Sequence, residues 1–427
     1  MKLLVIGNGG REHTIIRKLK ENPQVKEILC CSGNGGISKD ARCFPIKPTD
    51  IDGVCELAKR EAVDFAVVAP DDPLVLGMVD ALTQIGIPCF GPTADAAVIE
   101  GSKVFSKNLM KKYGIPTAGY EVFDDPAQAM QYIQEKNEFP IVIKADGLAL
   151  GKGVLIVKNL QEAKDAIHSM MEEHIFGTSG STIVVEEFLT GPEVSVLAFT
   201  DGKTMCPMVS SMDHKRALDN DEGLNTGGMG TVAPNPCYTP DIAKECMEKI
   251  FLPTMDAMNK EGRTFKGCLY FGLMLTPKGP YVIEYNCRFG DPETQVVLEM
   301  LDSDLLTIMQ AVSKGELARQ EIRFRDGCAA CVVLASGGYP QHYETGYEIC
   351  GLDENGQAPG VSVYHAGTKF EDGKFLTAGG RVLGVTATGE NLPQALQKAY
   401  AAADAITFKG KHCRRDIGAR ALKALEK

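Results

Sequence analysis

The chain has 427 residues, which is too long for one compact core and predicts about three domains at roughly 150 residues each. Hydrophobic residues make up 44% of it and charged residues 24%, a composition that is typical of globular proteins and excludes disordered, fibrous and membrane chains. The 45 basic and 56 acidic residues give a net charge of −11, which disfavours nonspecific binding to nucleic acid or to an anionic membrane. We therefore expect small ligands, held in local basic pockets.

The cysteines and the N-terminus indicate a cytoplasmic, water-soluble protein. Fourteen cysteines are too few for a small secreted disulfide scaffold, so we interpret them as reduced thiols. The pair Cys328 and Cys331 lacks the second pair or the nearby histidine of a zinc site, and the apolar run around it predicts a buried strand. The apolar run before Gly7 is too short for a signal sequence, and no stretch of about 20 apolar residues predicts a membrane span.

The first 90 residues alternate short apolar runs with helical patterns. The apolar runs predict strands at residues 3–6, 27–31, 65–69 and 87–90, and the helical patterns lie at 11–21, 52–62 and 74–85. Strands that are separated by helices pair in parallel. Residues 1–101 therefore predict an α/β domain built on a parallel sheet.

Residues 102–325 predict a second domain, with a smaller subdomain at about 120–190 inside it. Its clearest helices and strands are expected at 102–113, 240–261, 266–275 and 281–286. Asp125 and Asn159 have the spacing of helix N-caps. Residues 212–236 are rich in glycine, asparagine and aspartate and are predicted to form a long binding loop.

Residues 326–427 predict a small C-terminal α+β domain. Its strands are expected at 332–335, 361–365, 375–378 and 381–386, with one helix at 392–405. The fold class that follows is multidomain, α/β at the N-terminus and α+β at the C-terminus.

The sequence GNGGREH ends the first predicted strand and opens the first helix. Unpaired amides and the helix dipole favour an anion at such a junction, and Arg11 and His13 add cationic side chains. Glu12 stands where a dinucleotide fingerprint needs its third glycine, which disfavours NAD. Two interpretations stay open, a phosphate or phosphosugar site and a tight turn with a structural role alone.

A glycine-rich hairpin is predicted in FPIVIKADGLALGKGVLIV. Lys144 lies near the end of its first strand, and Lys152 lies between Gly151 and Gly153 in the connecting loop. Glycines let a backbone approach polyphosphate closely and lysines supply charge, although an ordinary hairpin with surface lysines also fits these residues. Lys103, in the preceding helix, is equally consistent with a phosphate ligand and with a solvated residue.

The apolar strand in STIVVEEFLTGPEVSV ends in Glu186 and Glu187, which Phe188 and Leu189 follow. Adenine can bind against such a strand end through backbone groups, and Glu193 can accept a hydrogen bond from a ribose hydroxyl. A charged strand end without a ligand is the alternative.

The most informative run is YVIEYNCRFGDPETQ. At the two-residue period of a strand, Glu284, Asn286 and Arg288 point to one side, whereas Ile283 and Tyr285 can face the core. A carboxylate and an amide oxygen suit Mg²⁺, which keeps waters and phosphate oxygens as its other ligands. Arg288 can stabilise charge on a transferring phosphoryl group. A salt-bridged structural strand is the alternative.

Taken in this order, the motifs resemble those of the phosphoribosylamine–glycine ligase family within the ATP-grasp superfamily. The resemblance covers essentially the whole chain and includes GPTADAAVIEGSKVFSK, DHKR, NTGGMG and GGRVLGVTA besides the four runs above. It implies an N-terminal phosphoribosylamine-binding domain, an ATP-grasp domain with a lid subdomain, and a small C-terminal domain.

The resemblance also implies a reaction, in which ATP, glycine and 5-phosphoribosylamine give ADP, phosphate and glycinamide ribonucleotide through glycyl phosphate, in de novo purine synthesis. The partners are then small molecules, with transient contact with the enzyme that supplies phosphoribosylamine, and neither nucleic acid nor a membrane. The alternatives are an ATP-grasp ligase for another acid or amine and a regulatory protein without catalysis. DHKR and NTGGMG disfavour the first, and the intact Glu284, Asn286 and Arg288 disfavour the second.

By the same resemblance, each motif carries a role. The phosphates of ATP would be contacted by Lys103, Lys144, Gly151, Lys152 and Gly153. The adenine would be bound by Glu186, Glu187, Phe188 and Leu189, and the ribose by Glu193. Gly9, Gly10, Arg11, Glu12 and His13 would bind phosphoribosylamine, Glu284 and Asn286 would hold Mg²⁺ or Mn²⁺, and Asp213, Lys215 and Arg288 would act at glycine and the acyl phosphate. Asp71 stands where the family usually has glutamate, whose side chain is one methylene longer. The shorter side chain disfavours a direct contact between Asp71 and the ribose.

Overall fold

Six β-sheets alternate with helices in residues 1–148 and 153–426, the part of the chain that the computed structural model describes. Residues 149–152 and 427 lie outside this description, and so do the predicted phosphate ligands Gly151 and Lys152. Across the described ranges, no helix has both the length and the apolar character needed to cross a bilayer.

The N-terminal sheet is parallel, as predicted, with the strand order β3-β2-β1-β4-β5. Its elements are β1 (Lys2–Gly7), α1 (Gly10–Lys20), β2 (Glu27–Ser32), α2 (Ile37–Asp40), β3 (Arg42–Phe44), α3 (Ile51–Arg60), β4 (Phe65–Val68), α4 (Asp71–Val75), α5 (Met78–Gln84), β5 (Cys89–Phe90) and α6 (Ala94–Gly101). The helix predicted at 74–85 is in fact two helices, because Gly77 breaks it with a φ of +90°. The sequence pattern missed β3, which has three residues and no buried side chain.

A four-stranded antiparallel sheet, ordered β6-β9-β7-β8, forms the predicted lid region. Its elements, with the helix that precedes it, are α7 (Lys103–Tyr113), β6 (Tyr120–Phe123), α8 (Pro126–Lys136), β7 (Ile141–Ala145), β8 (Val154–Val157), α9 (Leu160–Ile167), a π-helical turn (His168–Glu172), a 3₁₀ turn (Gly177–Gly180) and β9 (Ile183–Glu187). The two predicted N-caps are confirmed. Asp125 accepts a hydrogen bond from Gln128 N at 2.8 Å, and Asn159 accepts one from Glu162 N at 2.9 Å.

A second antiparallel sheet, ordered β11-β10-β16-β17, lies at the centre of the molecule. The elements of this region are β10 (Glu193–Thr200), β11 (Met205–Pro207), β12 (Met212–Asp213), β13 (Arg216–Leu218), a 3₁₀ turn (Asp219–Asp221), β14 (Glu222–Asn225), β15 (Gly230–Ala233), α10 (Pro240–Cys246), a π-helical turn (Met247–Phe251), α11 (Leu252–Lys260), β16 (Gly267–Thr276), β17 (Gly279–Asn286), α12 (Glu293–Met300), α13 (Leu305–Lys314) and a 3₁₀ turn (Leu317–Arg319). The hairpin predicted at 266–286 is confirmed as β16 and β17. Residues 212–236, predicted as one long loop, instead contain four short strands, which are too brief for an alternating pattern to stand out.

The C-terminal sheet combines strands from two parts of the chain, in the order β12-β15-β18-β22-β19. The remaining elements of this region are β18 (Cys328–Ala335), β19 (Ser362–His365), β20 (Thr368–Glu371), β21 (Lys374–Thr377), β22 (Arg381–Gly389), α14 (Leu392–Ala405) and α15 (Ala419–Leu425), of which β20 and β21 pair in a separate two-stranded sheet. Because β15 pairs with β18, this sheet crosses the boundary that the sequence predicts at 325. The helix predicted at 392–405 is confirmed, whereas β20 and α15 were not predicted.

One apolar core joins the N-terminal sheet to the central sheet. At its centre Phe271 of β16 is fully buried, with its ring centroid 4.3 Å from that of Phe251 and 5.6 Å from that of Tyr285. Tyr285 belongs to β17 and donates or accepts a hydrogen bond with Thr254 at 2.9 Å. This aromatic cluster fixes the strand whose polar side carries Glu284 and Asn286.

Replacing Phe271 with Ala is expected to lower the free energy of unfolding by about 3–5 kcal/mol, because the cavity left under the central sheet cannot close fully. The change is measured as a fall in Tm and in the urea midpoint. The control is Leu76→Ala, at a side chain that is 57% exposed and loses little packing. Equal stability of the two variants would contradict the packing described here.

Candidate active site

The polar side of the site begins at the end of β17. Tyr285, Cys287 and Phe289 are buried, and the alternate residues Glu284, Asn286 and Arg288 are part-exposed, in the predicted alternation. The prediction for Ile283 is wrong, because a shift in register between β16 and β17 leaves it without a partner, half-exposed, while Val282 is buried. The carbonyl of this extra residue accepts a hydrogen bond from Lys144 Nζ at 2.8 Å.

Arg288 lies among oxygen atoms from three segments. Its Nη2 is 2.8 Å from Glu100 Oε1 and 3.6 Å from Asp71 Oδ2, and its Nη1 donates to Asn286 Oδ1 at 2.9 Å. Burial opposes the charge of Arg288, but the carboxylates of Glu100 and Asp71 outweigh it and raise the pKa of the guanidinium. Asp71, the residue that departs from the family pattern, therefore lies at the site and faces Arg288.

Three lysines surround Glu284. Lys215 Nζ is 3.1 Å from Glu284 Oε1 and 3.5 Å from Glu193 Oε2, so the predicted residue Lys215 joins the strand end to the start of β10. The charge of Lys215 lowers the pKa of Glu284 to about 2, against the effect of burial, and Lys144 and Lys103 contribute. Lys103 donates a hydrogen bond to Gly147 O at 2.9 Å. Burial, and to a smaller extent repulsion from Lys144, lowers the pKa of Lys103.

A buried ion cluster lies at the end of β9. Glu186 Oε2 is 3.0 Å from both Lys144 Nζ and Lys107 Nζ, and Glu186 Oε1 is buried without a hydrogen-bond partner among the described residues. Burial lowers the pKa of Lys107 to about 8. Sequence reasoning missed Lys107, although its spacing of four from Lys103 places both lysines on one face of α7.

The other residues predicted for adenine and ribose continue along the chain from this cluster. Glu187 is exposed and its Oε2 accepts a hydrogen bond from Gly119 N at 3.3 Å. Phe188 and Leu189 are half-buried after the end of β9, and Glu193 is exposed at the start of β10. Gly153 O accepts a hydrogen bond from Ala145 N at 2.9 Å, which closes the described part of the glycine-rich hairpin.

The start of α1 faces the turn after β17. Glu12 accepts hydrogen bonds from Gly9 N and from Arg11 Nε, both at 2.6 Å. Arg11 Nη1 donates to Phe289 O at 2.9 Å, and a Cβ on Gly10 would lie 2.7 Å from Gln295 Nε2, so this turn lies directly against the Gln295 side chain. The four residues 9–12 therefore adjoin the predicted catalytic strand.

His13 does not share this position. It is fully buried, with Nε2 3.1 Å from Asp40 Oδ2 and with Nδ1 accepting a hydrogen bond from His365 N at 2.8 Å. Burial lowers the pKa of His13, which favours the neutral ring. His13 therefore links α1 to the C-terminal domain through both ring nitrogens, and its role at phosphoribosylamine stays a prediction.

Asp213, another of the predicted site residues, is the last residue of β12. Its Oδ1 accepts a hydrogen bond from His214 N at 2.7 Å, and a Cβ on Gly228 would lie 2.8 Å from the same oxygen. Burial and the nearby carboxylate of Glu293 raise the pKa of Asp213. Glu293 in turn accepts a hydrogen bond from Tyr270 at 3.1 Å.

Sequence reasoning missed further polar residues of the site. Asp291 accepts hydrogen bonds from Gln295 Nε2 at 2.9 Å and from Arg11 N at 3.4 Å, and its carbonyl accepts one from Arg381 Nη1 at 2.7 Å. Glu100, Asp291, Glu293 and Arg381 all lie within the quoted motifs, but no spacing within a motif distinguished them from their neighbours.

The donor set at the end of β17 fits a divalent cation. Glu284 is ionised at neutral pH, since its pKa is about 2, and Asn286 offers an amide oxygen two residues away on the same side. One carboxylate and one amide leave coordination positions for water and phosphate, as Mg²⁺ and Mn²⁺ prefer. Both oxygens now accept hydrogen bonds from cations, Lys215 and Arg288.

Comparisons with known proteins agree along the whole chain. Three family models match in order: Phosphoribosylglycinamide synthetase, N domain, at residues 1–100, its ATP-grasp (A) domain at 101–294 and its C domain at 329–420. A phosphoribosylamine–glycine ligase of Caldanaerobacter subterraneus subsp. tengcongensis is 46% identical over 98% of this chain and 100% of its own length. The human trifunctional purine biosynthetic protein adenosine-3 is 45% identical over 100% of this chain and 42% of its own.

Solved structures give the same relation. The crystal structure of phosphoribosylamine–glycine ligase from Thermotoga maritima has a TM-score of 0.85 and 34% identity, and the match covers 98% of this chain and 100% of that one. The biotin carboxylase domain of 2-oxoglutarate carboxylase from Hydrogenobacter thermophilus, solved with MgADP, has a TM-score of 0.72 at 17% identity, covering 96% and 91%. The second likeness shows a shared fold alone.

Proposed function

This chain belongs to the phosphoribosylglycinamide synthetase family, and we propose on that basis that it joins glycine to 5-phosphoribosylamine with conversion of ATP to ADP and phosphate. The product is glycinamide ribonucleotide, an intermediate of de novo purine synthesis. The observation that carries the proposal is the convergence of Arg288, Lys215 and Lys144 on Glu284 and Asn286, because it concentrates positive charge where a triphosphate and a carboxylate would meet.

The chemistry requires two displacements. A carboxylate oxygen of glycine attacks the γ-phosphorus of ATP and ADP departs, which gives glycyl phosphate. The amine of phosphoribosylamine then attacks the glycyl carbonyl carbon, phosphate departs and the nitrogen loses a proton. The protein supplies positioning and charge stabilisation for these steps, so a protein nucleophile is not needed.

Arg288, Lys215 and Asp213 are the residues that we assign to glycine and the acyl phosphate. Arg288 stabilises the charge on the transferring phosphoryl group. Lys215 neutralises the glycine carboxylate as it approaches that group. Asp213 lies at the end of β12, where the positive charge of a glycine ammonium group would offset the burial and the Glu293 charge that raise its pKa, so that its carboxylate can accept hydrogen bonds from that group.

ATP lies between the central sheet and the lid in this proposal. Lys103, Lys144 and Gly151 to Gly153 bind its phosphates, Glu186 to Leu189 its adenine, and Glu193 its ribose. Lys107 supports this arrangement by holding Glu186. The unpartnered Glu186 Oε1 leaves one buried acceptor at that end of the site.

Glu284 and Asn286 hold Mg²⁺ or Mn²⁺ in this assignment. When bound, the cation offsets negative charge on the phosphate groups of ATP. Lys215, which occupies the Glu284 oxygen in the described structure, then turns toward anionic reactants, and Arg288 gives up its bond to Asn286 while Glu100 still holds its Nη2.

Phosphoribosylamine is assigned to Gly9, Gly10, Arg11 and Glu12 at the start of α1. Support comes from their position beside Phe289 and Gln295, next to the end of β17. His13 acts there only through the backbone that it anchors. Asp71 already lies 3.6 Å from Arg288, so its carboxylate would have to contact the ribose and Arg288 at the same time.

Several wider assignments are part of the same proposal. The domains are residues 1–101, 102–325 and 326–427, with the lid at about 120–190. Strands β12 and β15 of the second domain belong to the C-terminal sheet. The protein works in the cytoplasm, in keeping with its fourteen free cysteines. It makes transient contact with the enzyme that supplies phosphoribosylamine, and binds neither nucleic acid nor membranes.

Release of ADP tests the proposed reaction. With ATP, Mg²⁺, glycine and phosphoribosylamine present, we expect continuous ADP formation, and omission of either glycine or phosphoribosylamine should reduce it to background. Product mass identifies glycinamide ribonucleotide. Absence of turnover with this pair, together with turnover on another acid, would contradict the proposal and select a different ATP-grasp ligase.

A further inference from the structure

We propose that Glu100 is a positioning residue that holds the guanidinium of Arg288 in the orientation needed for phosphoryl transfer. The inference rests on the proposed function, because it presupposes that Arg288 acts on the transferring group. Glu100 lies in the last turn of α6, far from Arg288 in the chain, and its side chain is only 7% exposed.

Both carboxylate oxygens of Glu100 bind the same short segment. Oε1 accepts a hydrogen bond from Arg288 Nη2 at 2.8 Å, and Oε2 accepts one from the backbone N of Cys287 at 2.7 Å. One buried carboxylate thus fixes the side chain of Arg288 and the backbone directly before it. Charge-assisted bonds of this length, made in a buried place, are the strong ones.

The remaining contacts of Arg288 do not fix its orientation as firmly. Asn286 contributes a neutral acceptor at 2.9 Å, and Asp71 is farther away, at 3.6 Å. The Nε of Arg288 is buried without a partner among the described residues. Without Glu100, the guanidinium would keep only two neutral acceptors among the described residues, Asn286 Oδ1 and the more distant Phe289 O at 3.4 Å, and would turn toward Asp71.

Glu100 also connects two parts of the molecule. It is the last residue matched by the N-domain family model, whereas Arg288 lies within the match of the ATP-grasp model. The side of the protein assigned to phosphoribosylamine therefore sets the position of the residue assigned to phosphoryl transfer. We infer that the two reaction steps depend on the seating of α6 against the end of β17.

Glu100→Gln is the sharpest test of this role. An amide keeps one oxygen that can accept from Cys287 N, but it turns an NH₂ group toward the donors of Arg288, so only the contact with Arg288 is lost. We expect kcat to fall about 10- to 100-fold, the range for residues that orient a functional group. KM for ATP and for glycine should change by less than about threefold, since a residue acting on the transition state leaves ground-state binding intact.

The same substitution in an Arg288→Ala background distinguishes positioning from general damage. There, Glu100→Gln should change kcat by less than about twofold, because two residues that act as a unit are not additive. A matched control is Glu299→Gln, which removes a carboxylate that accepts a hydrogen bond from Tyr364, away from the proposed site, and should leave kcat unchanged. Thermal melts verify that each variant is folded.

Two results would overturn the role of Glu100: a kcat for Glu100→Gln within about threefold of wild type, or an equal loss with and without Arg288. If Glu100→Gln does not fold, Glu100→Asp replaces it, since aspartate keeps the charge with a shorter reach. Its loss of kcat should likewise require Arg288. Failure of the proposed function is seen separately, as absence of ADP formation by the wild-type protein with glycine and phosphoribosylamine.

Discussion

Arg288→Ala is expected to lower kcat by about 10²- to 10³-fold, the effect of removing one donor that acts on developing charge in a transition state. The guanidinium lies beside Asn286, the proposed metal ligand, and is held there by Glu100. KM for ATP should change far less than kcat, because the lysines assigned to the phosphates remain. The measurement is steady-state ADP formation with all three substrates at saturation.

The control for Arg288→Ala is Arg323→Ala. Arg323 has a side chain that is 67% exposed and, among the described residues, forms an ion pair only with Glu321, at 3.7 Å, so its loss should leave kcat unchanged. Since Arg288→Ala leaves the buried Glu100 without its cation, the double variant with Glu100→Gln provides a folded alternative. A loss of less than about threefold in a folded variant would refute the role of Arg288.

Local signals in the sequence predicted much of this fold. Asp125 and Asn159 begin their helices through bonds to residues three positions later, so no distant partner was needed to recognise them. The alternation at the end of β17 placed Glu284 and Arg288 on one side for the same reason. Such features depend on neighbours along the chain, and these are visible in the sequence.

The features that the sequence did not predict depend on distant partners. Ile283 left the predicted alternation because of the register shift between β16 and β17, which no pattern within β17 reveals. Glu100 and Arg288 meet across 188 positions of the chain. Their charges are visible in the sequence, but the packing of α6 against the strand end is not.

His13 shows the same limit within one motif. It lies next to Glu12 and two positions from Arg11, and the family resemblance assigned all three residues to one ligand. One helical turn has side chains on every side, and α1 directs His13 toward Asp40 and His365 instead. A motif therefore locates a site more reliably than it assigns each of its side chains.

Glu284→Gln is expected to raise the Mg²⁺ concentration for half-maximal activity by more than about 100-fold. Loss of a residue that merely hydrogen-bonds a metal ligand weakens metal binding by about 10- to 100-fold, and loss of the ligand itself should weaken it further. Glutamine keeps the size of the side chain but not its charge. The titration of ADP formation with Mg²⁺ measures the change. Glu245→Gln serves as a control, since Glu245 of α10 pairs with Lys249 in the following π-helical turn and is assigned to no ligand.

Glu284 also has a partner within the protein, and the two roles predict different results. If its charge served only to pair with Lys215, at 3.1 Å, Glu284→Gln would alter stability and glycine binding but leave the Mg²⁺ titration in place. Direct binding separates the cases further, because Mn²⁺ bound to the ADP-loaded protein can be counted by electron paramagnetic resonance without turnover. Unchanged Mn²⁺ binding by the variant would show that the metal site does not lie at the end of β17. Weaker Mn²⁺ binding by a folded variant would show that Glu284 is a metal ligand.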